Sequence, residues 1–457
     1  MNFKSLFDET IVGISTALEK GAVSIIRLSG NNSIDLVNKV FKGKNLLNAK
    51  SHTITYGHIY DSKNDKIIDE VLVSIFRSPR SYTQEDVVEI NCHGGILVTN
   101  IIFNLLVEFG ARIAEPGEFT KRAFFNGRID LTKAEAVMDV IDAENKKALD
   151  VANSTMNGSI KKVVLSLQER LINIIAQINV NIDYPEYDDV EQLENEVIKP
   201  EIKKIKIETE EIINRAKDVF KIKSGINTVI VGKPNVGKSS LMNALLSENK
   251  AIVTSVPGTT RDAIEAKLNL GTITLNLIDT AGVRETEDVV EKIGVQITKE
   301  KIANADLLLV MFDGNKELTE EDYDILEQIK DKKHISIINK SDLEQKIDIT
   351  KLDKYIYVSA KTQDNLDALE KEILNIVISK DFDPSKTSYI SNARQLNCMQ
   401  KAKEALDIAL ESIENQVDID IIELYLKDAW FNLGSIIGNV EDDDLLDNLF
   451  SKFCLGK

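Results

Sequence analysis

The stretch that decides the fold is residues 232–239, GKPNVGKS, which directly follows the apolar run INTVIV at residues 226–231. It matches the pattern G-x-x-x-x-G-K-[ST], in which glycines let backbone N–H groups turn towards phosphate oxygens. Lys238 supplies a mobile positive charge, and the Ser239 hydroxyl is suited to a Mg²⁺ shell at a helix N-terminus. Because a strand pattern precedes the loop and a helix pattern follows it, the stretch predicts a phosphate-binding loop in an α/β domain.

Two polar loops downstream carry residues suited to a γ-phosphate and its Mg²⁺. GTTRD at residues 258–262 offers the Thr260 hydroxyl as a metal ligand, which would make this loop sensitive to the nucleotide state. The strand pattern LNLI runs into DTAG at residues 279–282. Asp279 can hold Mg²⁺ through water, and the Gly282 N–H can contact the γ-phosphate. These loops predict a nucleotide-dependent switch.

Two further motifs indicate that the nucleotide is GTP. NKSD at residues 339–342 and SAK at residues 359–361 each follow a strand pattern. The Asp342 carboxylate can accept from the two N–H donors on the guanine edge; adenine lacks that pair and would leave the acceptor unpaired. Five motifs in this order predict a GTP-binding domain, although each alone is weak. The predicted nucleotide contacts are Asn235, Val236, Gly237, Lys238, Ser239, Ser240, Thr254, Ser255, Val256, Pro257, Gly258, Thr259, Thr260, Asp279, Thr280, Ala281, Gly282, Asn339, Lys340, Asp342, Ser359, Ala360 and Lys361.

Hydrolysis of GTP needs a positioned water and stabilisation of the developing phosphate charge, to which Lys238 can contribute. In Ras-type domains a Gln directly follows D-x-x-G, but that position is Val283 here, which has no polar group. The amide oxygen of Asn235 could help to ligate a monovalent cation that bridges the phosphates; equally, Asn235 could be a turn residue that tolerates strained φ. Glu291 could orient water, or it could be a stabilising acid in the first turn of a helix.

Length and composition limit the class of protein. The chain has 457 residues, enough for roughly three domains. Its net charge of −18 argues against a nucleic-acid clamp over the whole molecule, although a local basic face remains possible. Three scattered cysteines cannot form a disulfide framework or a spaced zinc site. No membrane-spanning run and no secretory signal are found, so a reducing cytoplasm is the expected location.

The periodicity of apolar residues divides the chain into four segments. Residues 1–118 alternate strand and helix patterns and predict an α+β domain, whereas residues 119–223 carry only helical spacing. Residues 224–378 alternate strands and helices, which is typical of a mostly parallel sheet. Residues 379–457 are helical again. The predicted fold is a multidomain α/β protein with a Ras-like P-loop domain inserted into an all-α domain; a separate C-terminal helical domain is the alternative.

Motifs outside the nucleotide domain reveal a resemblance. They are SYTQEDVVE at residues 81–89 leading to HGG at 93–95, PGEFTKRAF at 116–124, NGRIDL at 126–131 and the terminal FCLGK at 453–457. Through these motifs the chain resembles, over its full length, the MnmE (TrmE) family of tRNA modification GTPases. That family is a branch of the TrmE-Era-like GTPases.

The resemblance implies a function and its partners. The N-terminal domain would be aminomethyltransferase-like, bind a formyl- or methylene-tetrahydrofolate and mediate homodimerisation. Family members add a carboxymethylaminomethyl group at C5 of the wobble uridine in certain tRNAs. They act with the flavoprotein MnmG (GidA), which carries the FAD, in a heterotetramer or larger complex. Potassium-dependent dimerisation of the GTPase domains accompanies GTP hydrolysis and drives a conformational change.

The resemblance also implies site residues. Folate would be bound by Arg27, Glu89, Arg128 and Lys457; Mg²⁺ by Ser239 and Thr260; and K⁺ by Asn235, Thr254, Val256 and Thr259. Glu291 aligns with the acid that orients the attacking water in the family.

Cys454 has two possible roles. Its thiol could add to the uridine ring as a nucleophile, or it could be a small buried apolar residue.

Two other classes of protein compete with this interpretation. A ribosome-associated assembly GTPase would share all five nucleotide motifs, but it is expected to carry a basic RNA-binding module, which this acidic chain does not show. A folate-dependent methyltransferase with a regulatory GTPase domain would need an amine-substrate motif, and none is recognisable.

Overall fold

The computed structural model describes most of the chain, in two compact units. The described residues are 9–183, 198–247, 266–278, 302, 304–352, 354–378, 382–439, 443–453 and 456. The first unit comprises Met1–Met138 with Gly434–Lys457, and the second comprises Asp139–Leu433.

Strands and helices are numbered here in chain order. The strands are β1 Ile11–Ile14, β2 Val23–Ser29, β3 Phe41–Gly43, β4 Thr53–Asp61, β5 Lys66–Phe76, β6 Val87–His93, β7 Arg112–Ile113, β8 Ile226–Val231, β9 Ala266–Asn269, β10 Thr274–Ile278, β11 Leu307–Asp313, β12 His334–Asn339 and β13 Tyr355–Tyr357. The helices are α1 Ser33–Val40, α2 Ile96–Glu108, α3 Glu118–Phe125, α4 Leu131–Ile141, α5 Lys146–Met156, α6 Ser159–Asp183, α7 Lys199–Ser224, α8 Lys238–Ser247, α9 Glu320–Ile329, α10 Leu366–Val377, α11 Ala393–Glu414, α12 Ile419–Ile437 and α13 Asp443–Phe450. Among them, none is both long and apolar enough to cross a bilayer.

The first unit is built on a seven-stranded sheet in the order β3-β4-β5-β6-β2-β1-β7. Strands pair antiparallel except β1 with β7. Alternate residues of β2 and β5, such as Ile26, Leu28 and Val73, are buried in a core shared with Ile102 and Leu106 of α2. Successive side chains of a strand point to opposite faces of the sheet. Arg27, which lies between the buried Ile26 and Leu28, is therefore on the other face of this sheet.

The C-terminal helix α13 packs within this same unit. Phe450 and Phe453 form an apolar cluster with Leu131 of α4 and the half-buried Phe124 of α3. The Nζ of Lys121 donates to an Asp447 carboxylate oxygen at 2.5 Å. This packing carries the end of the chain towards β1.

The second unit contains the predicted α/β fold, which we call the nucleotide part (β8–β13 with α8–α10). Its sheet order is β13-β12-β11-β8-β10-β9, with every pair parallel except β9 with β10. β11 is buried along its whole length. Loops at the carboxyl ends of such strands are where ligands bind in open α/β sheets.

Helices from both sides of the nucleotide part pack together; we call α5–α7, α11 and α12 the helical part. Ile202, Ile205 and Ile212 form a buried stripe on α7. Between α7 and α11, the Nζ of Lys206 lies 2.6 Å from an Asp407 carboxylate oxygen. Helices from the two sides of residues 224–378 therefore contact each other within the second unit. That the two helical segments form one domain stays a prediction.

A turn in the helical part holds the β9–β10 hairpin of the nucleotide part. Asn145, which is buried, caps α5 by accepting from the Ala148 N–H and donates from Nδ2 to the Ile222 carbonyl at 2.9 Å and to the Thr274 hydroxyl at 3.3 Å. The Lys146 N–H donates to the Gly271 carbonyl at 2.9 Å. Asn145 thus joins α5, the end of α7 and the start of β10.

Candidate functional site

The loop after β8 has the geometry of a phosphate cradle. Gly237 has φ +104°, and a Cβ at this position would lie 2.2 Å from Nδ2 of Asn339. The Nζ of Lys238 donates to the Gly232 carbonyl at 2.7 Å and to the Lys233 carbonyl at 2.9 Å. Ser239 lies exposed in the first turn of α8, where a hydroxyl can reach a metal ion beside the helix N-terminus. These residues fit a Mg²⁺-bound nucleotide.

Asn235 occupies a left-handed backbone position. Its φ is +64°, its side chain is exposed, and its carbonyl accepts from Nζ of Lys340 at 3.4 Å. Asn is among the residues that tolerate this conformation, so the backbone alone accounts for its presence. Its role as a cation ligand therefore stays a prediction.

A salt bridge fastens the outer side of the loop to α9, and the sequence did not reveal it. The Nζ of Lys233 lies 2.6 Å from the buried carboxylate of Asp322 and donates to the Thr319 hydroxyl at 2.8 Å. Thr319 and Asp322 also form the capping box of α9. The T-x-x-D spacing was a sequence signal for a helix start, but its partner Lys233 lies 86 residues earlier.

Asn339 joins the phosphate loop to the predicted base-binding motifs. Its Nδ2 donates to the Val236 carbonyl at 2.8 Å, and its Oδ1 accepts from the Ala360 N–H at 3.0 Å. Because Asn339 is buried, both bonds replace water contacts that the side chain has lost. The structure therefore brings residues 232–240, 339–342 and 359–361 together.

The Asp342 carboxylate is held in its ionised, accepting form. Its Oδ1 accepts from the Ser359 hydroxyl at 2.7 Å, and this hydrogen bond lowers the pKa of Asp342 below its ordinary value. Lys340 is fixed nearby by an ion pair of 2.7 Å to Asp313, a residue that the motifs did not single out. An acceptor-only group at this position can pair with N–H donors of a base.

Several predicted site residues lie outside the described residues. They are Thr254, Ser255, Val256, Pro257, Gly258, Thr259, Thr260, Asp279, Thr280, Ala281, Gly282, Glu291, Cys454 and Lys457. Within the part of the chain that the structure describes, no group of three or more His, Cys, Asp or Glu residues is placed to hold a metal ion.

A second cluster lies in the first unit, on the strands β2 and β6. Arg27 and Glu89 face each other in register, with Nη2 of the arginine 2.8 Å from Oε1 of the carboxylate and Nε donating to the same oxygen at 2.9 Å. Arg27 also donates from Nη1 to the Gly456 carbonyl at 3.3 Å. That carbonyl accepts from the Ser15 hydroxyl at 3.1 Å, so the chain end is bound to the sheet.

Tyr82 connects this pair to Arg128. The Arg27 guanidinium lies 5.6 Å from the centre of the Tyr82 ring, and that of Arg128 lies 4.8 Å from it. Arg128 also donates to the Tyr82 carbonyl at 2.7 Å. Two of the four residues predicted to bind folate, Arg27 and Arg128, therefore contact one tyrosine, and a third, Glu89, is paired with Arg27; their ligand stays a prediction. The motif SYTQEDVVE singled out this loop in the sequence, but it did not predict that the Tyr82 ring contacts both arginines.

Known proteins match the chain along nearly its whole length. A family model described as MnmE helical domain matches residues 131–454, and one described as GTP-binding protein TrmE N-terminus matches residues 10–128. The tRNA modification GTPase MnmE of Bacillus mycoides is 46% identical over 455 residues, covering 98% of this chain and 99% of that protein. That of Staphylococcus aureus (strain Mu3) is 44% identical over 456 residues, with the same coverage. The chain therefore belongs to the MnmE family of tRNA modification GTPases.

Proposed function

We propose that this tRNA modification GTPase is the GTP-hydrolysing subunit that adds a carboxymethylaminomethyl group at C5 of the wobble uridine, together with the flavoprotein MnmG (GidA). The observation that carries the proposal is that a guanine-type nucleotide site and the Arg27–Glu89–Arg128 cluster occur in one chain of this family. FAD would be bound by the partner only. The chain would act in the cytoplasm as a homodimer within a heterotetramer or larger complex. An assembly GTPase without modification chemistry is not favoured, since the full-length relatives are tRNA modification GTPases.

The chain uses GTP with Mg²⁺, and we assign the metal to Ser239 and Thr260. K⁺ would be held by Asn235, Thr254, Val256 and Thr259. When bound beside the phosphates, a monovalent cation stabilises the charge that develops during hydrolysis. Lys238 would bind the β- and γ-phosphates, and Glu291 would orient the attacking water.

A formyl- or methylene-tetrahydrofolate would be held by Arg27, Glu89, Arg128 and Lys457, and when bound it would supply a one-carbon unit. The carboxylate of Glu89 is suited to accept from the N–H groups of a pterin ring. Arg128 is exposed and suited to a carboxylate of the ligand. Cys454 is a candidate nucleophile towards the uridine ring.

Contacts between the helical part and the nucleotide part support coupling of hydrolysis to modification. The β9–β10 hairpin lies in sequence between the two predicted switch motifs. Glu144 holds its first strand through an ion pair of 2.6 Å with Lys267, and Asn145 holds its second strand through Thr274. A shift of this hairpin with the nucleotide state would therefore move the turn before α5.

The cation assignment predicts that Asn235→Gly abolishes the stimulation of GTP turnover by K⁺ over Na⁺. Glycine keeps the left-handed backbone without strain, so the change removes only the amide side chain. Turnover is measured in matched K⁺ and Na⁺ buffers with the full-length protein. Asn365 also has a positive φ, of +61°, at the start of α10, and Asn365→Gly is the matched control that keeps the stimulation. If Asn235→Gly keeps the full stimulation by K⁺, Asn235 is not a ligand of the cation.

The Gly456 carbonyl is bonded to Arg27 and Ser15, so a change at Gly456 should disturb the proposed folate site. We expect Gly456→Ala to weaken folate binding about tenfold, which corresponds to about 1.4 kcal/mol of binding free energy. Gly456 has φ +86°, and a Cβ there would lie 2.2 Å from the Ile14 carbonyl, so alanine must displace the tail from β1. The affinity for tetrahydrofolate is measured by isothermal titration calorimetry under anaerobic conditions. Gly110→Ala is the control, because Gly110 has φ +108° but open space at its Cβ. Equal affinity in the two variants would contradict a role for the tail in this site.

Reconstitution tests the proposed function directly. The full-length protein, MnmG, unmodified tRNA, GTP, methylene-tetrahydrofolate and glycine, which supplies the carboxymethylamino part of the product, are combined, and the nucleosides are analysed by mass spectrometry. We expect the modified wobble uridine only when every component is present. Formation of the product without this chain or without GTP would contradict the proposal.

A further inference from the structure

Lys233, the second residue of the phosphate loop (residues 232–239), directs its charge towards α9. Its Nζ lies 2.6 Å from an Asp322 carboxylate oxygen and donates to the Thr319 hydroxyl at 2.8 Å. The Asp322 side chain is only 4% exposed. Withdrawal of the lysine would leave a buried carboxylate unpaired, which is strongly destabilising. Lys233 is therefore engaged in fastening the loop to α9 and is not available to bind a phosphate.

The start of α9 is itself a fixed support. The Asp322 carboxylate accepts from the Thr319 N–H at 2.9 Å and from the Thr319 hydroxyl at 3.1 Å. At the other end of α9, Ile329 is fully buried and shares an apolar cluster with Phe312 of β11. The helix is thus packed on the sheet, and the contact of Lys233 ties the phosphate loop to that packed helix.

Packing between the loop and this support is loose. A cavity of about 50 Å³ lies between them, lined by Pro234 and Val236 of the loop and by Phe312 and Leu318 on the other side. Atoms that border a cavity have lost van der Waals contacts on that side. The loop therefore has room to shift, and the ion pair of Lys233, which also borders the cavity, limits that shift.

Lys233 also determines where the phosphate-binding lysine lies. The Nζ of Lys238 donates to the Gly232 carbonyl at 2.7 Å and to the carbonyl of Lys233 itself at 2.9 Å. The main chain at residues 232–233 therefore sets the position of the Lys238 ammonium group. Because the Lys233 side chain fixes that main chain on α9, Asp322 and Lys238 are connected through a single residue.

We propose that Lys233 is a positioning residue for the phosphate-binding Lys238 and that it slows the dissociation of the bound nucleotide. This inference rests on the proposed binding of GTP by the loop at residues 232–239. Lys233 acts through the main chain that Lys238 contacts and through its ion pair with Asp322. A loop that is already held in the binding geometry loses less conformational freedom when the nucleotide binds, which favours tighter binding.

Lys233→Met tests this role, because methionine keeps an unbranched side chain without the charge. Binding and release of a fluorescently labelled GDP are followed by stopped flow with the full-length protein and Mg²⁺. We expect the affinity to fall about tenfold, which corresponds to about 1.4 kcal/mol, mainly through faster dissociation. Lys221→Met is the matched control, since Lys221 forms an ion pair of 2.7 Å with Asp306 at the opposite end of β8 from the loop. An unchanged dissociation rate in Lys233→Met overturns the inference.

A combined variant separates positioning from folding stability. Lys233→Met alone leaves the Asp322 carboxylate buried without its partner and should lower the melting temperature. Adding Asp322→Asn removes that charge, and the amide oxygen can still accept from the Thr319 N–H. We expect the combined variant to regain the melting temperature and to retain the tenfold loss of GDP affinity. If the affinity returns together with the melting temperature, Lys233 acts only through stability, and the inference is overturned.

The combined variant carries the test if Lys233→Met alone does not fold. Equal GDP affinity and equal dissociation rates in the unaltered protein and in all variants would keep the nucleotide site and refute only the role of Lys233. If the unaltered protein does not bind the labelled GDP, the loop at residues 232–239 is not a nucleotide site, and the proposed function fails together with the inference.

Discussion

Asp342→Asn is expected to change the base preference of the nucleotide site from guanine to xanthine. The ionised carboxylate accepts from two N–H donors of guanine, whereas an asparagine amide turns a donor towards one of them. Xanthine has a carbonyl in place of the guanine amino group, so the amide can both accept and donate. Sites built on such hydrogen bonds discriminate strongly, and we expect the ratio of GTP to XTP affinity to fall at least about 100-fold.

Competition binding with both nucleotides measures this ratio. Asp348→Asn is the matched control, because Asp348 also accepts side-chain and backbone hydrogen bonds, from Thr350, in a turn of the nucleotide part. The control should bind GTP and XTP as the unaltered protein does. If Asp342→Asn keeps the original preference for GTP, the base is not recognised through Asp342.

Gly237→Ala is expected to weaken GTP binding by roughly 100-fold or more, which is about 2.7 kcal/mol. The backbone φ of +104° strains any residue with a Cβ, and this Cβ would meet Nδ2 of Asn339 at 2.2 Å. Asn339 cannot move freely, since it holds the Val236 carbonyl and the Ala360 N–H. The substitution therefore disturbs the phosphate loop and the base-binding loop together.

The control for backbone strain is Gly271→Ala. Gly271 has φ +77° in the same unit of the chain but open space around the position of a Cβ. It should lose about 1–2 kcal/mol of folding stability while binding GTP normally. Fluorescence titration with a labelled GTP analogue and thermal unfolding distinguish the two variants. Near-normal GTP affinity in Gly237→Ala would contradict the close packing of the loop on Asn339.

The nucleotide part could be predicted from sequence because its signals are local. Each motif follows directly on a strand pattern, and the strands that precede 232–239 and 339–342 are confirmed as β8 and β12. The helical pattern noted within residues 379–457 corresponds to the helices α11 and α12. The short strands β1, β3 and β7 were not predicted, because two to four residues are too few to display an alternating pattern.

The N-terminal cluster could be predicted only in part because its contacts are distant in sequence. The bond from Arg27 to the Gly456 carbonyl spans 429 residues, and the one from Arg128 to Tyr82 spans 46. No periodic pattern encodes such pairs. The resemblance supplied Arg27, Glu89 and Arg128 as single residues; the ring that connects them became evident only from the structure.

The central claim is that this chain is needed to modify the wobble uridine of tRNA and that its nucleotide site is needed for that reaction. It is tested most directly by mass spectrometry of tRNA nucleosides from cells that lack the gene. We predict that the carboxymethylaminomethyl uridine disappears, returns with the unaltered gene, and does not return with Gly237→Ala. An unchanged set of wobble nucleosides in cells without the gene would contradict the account.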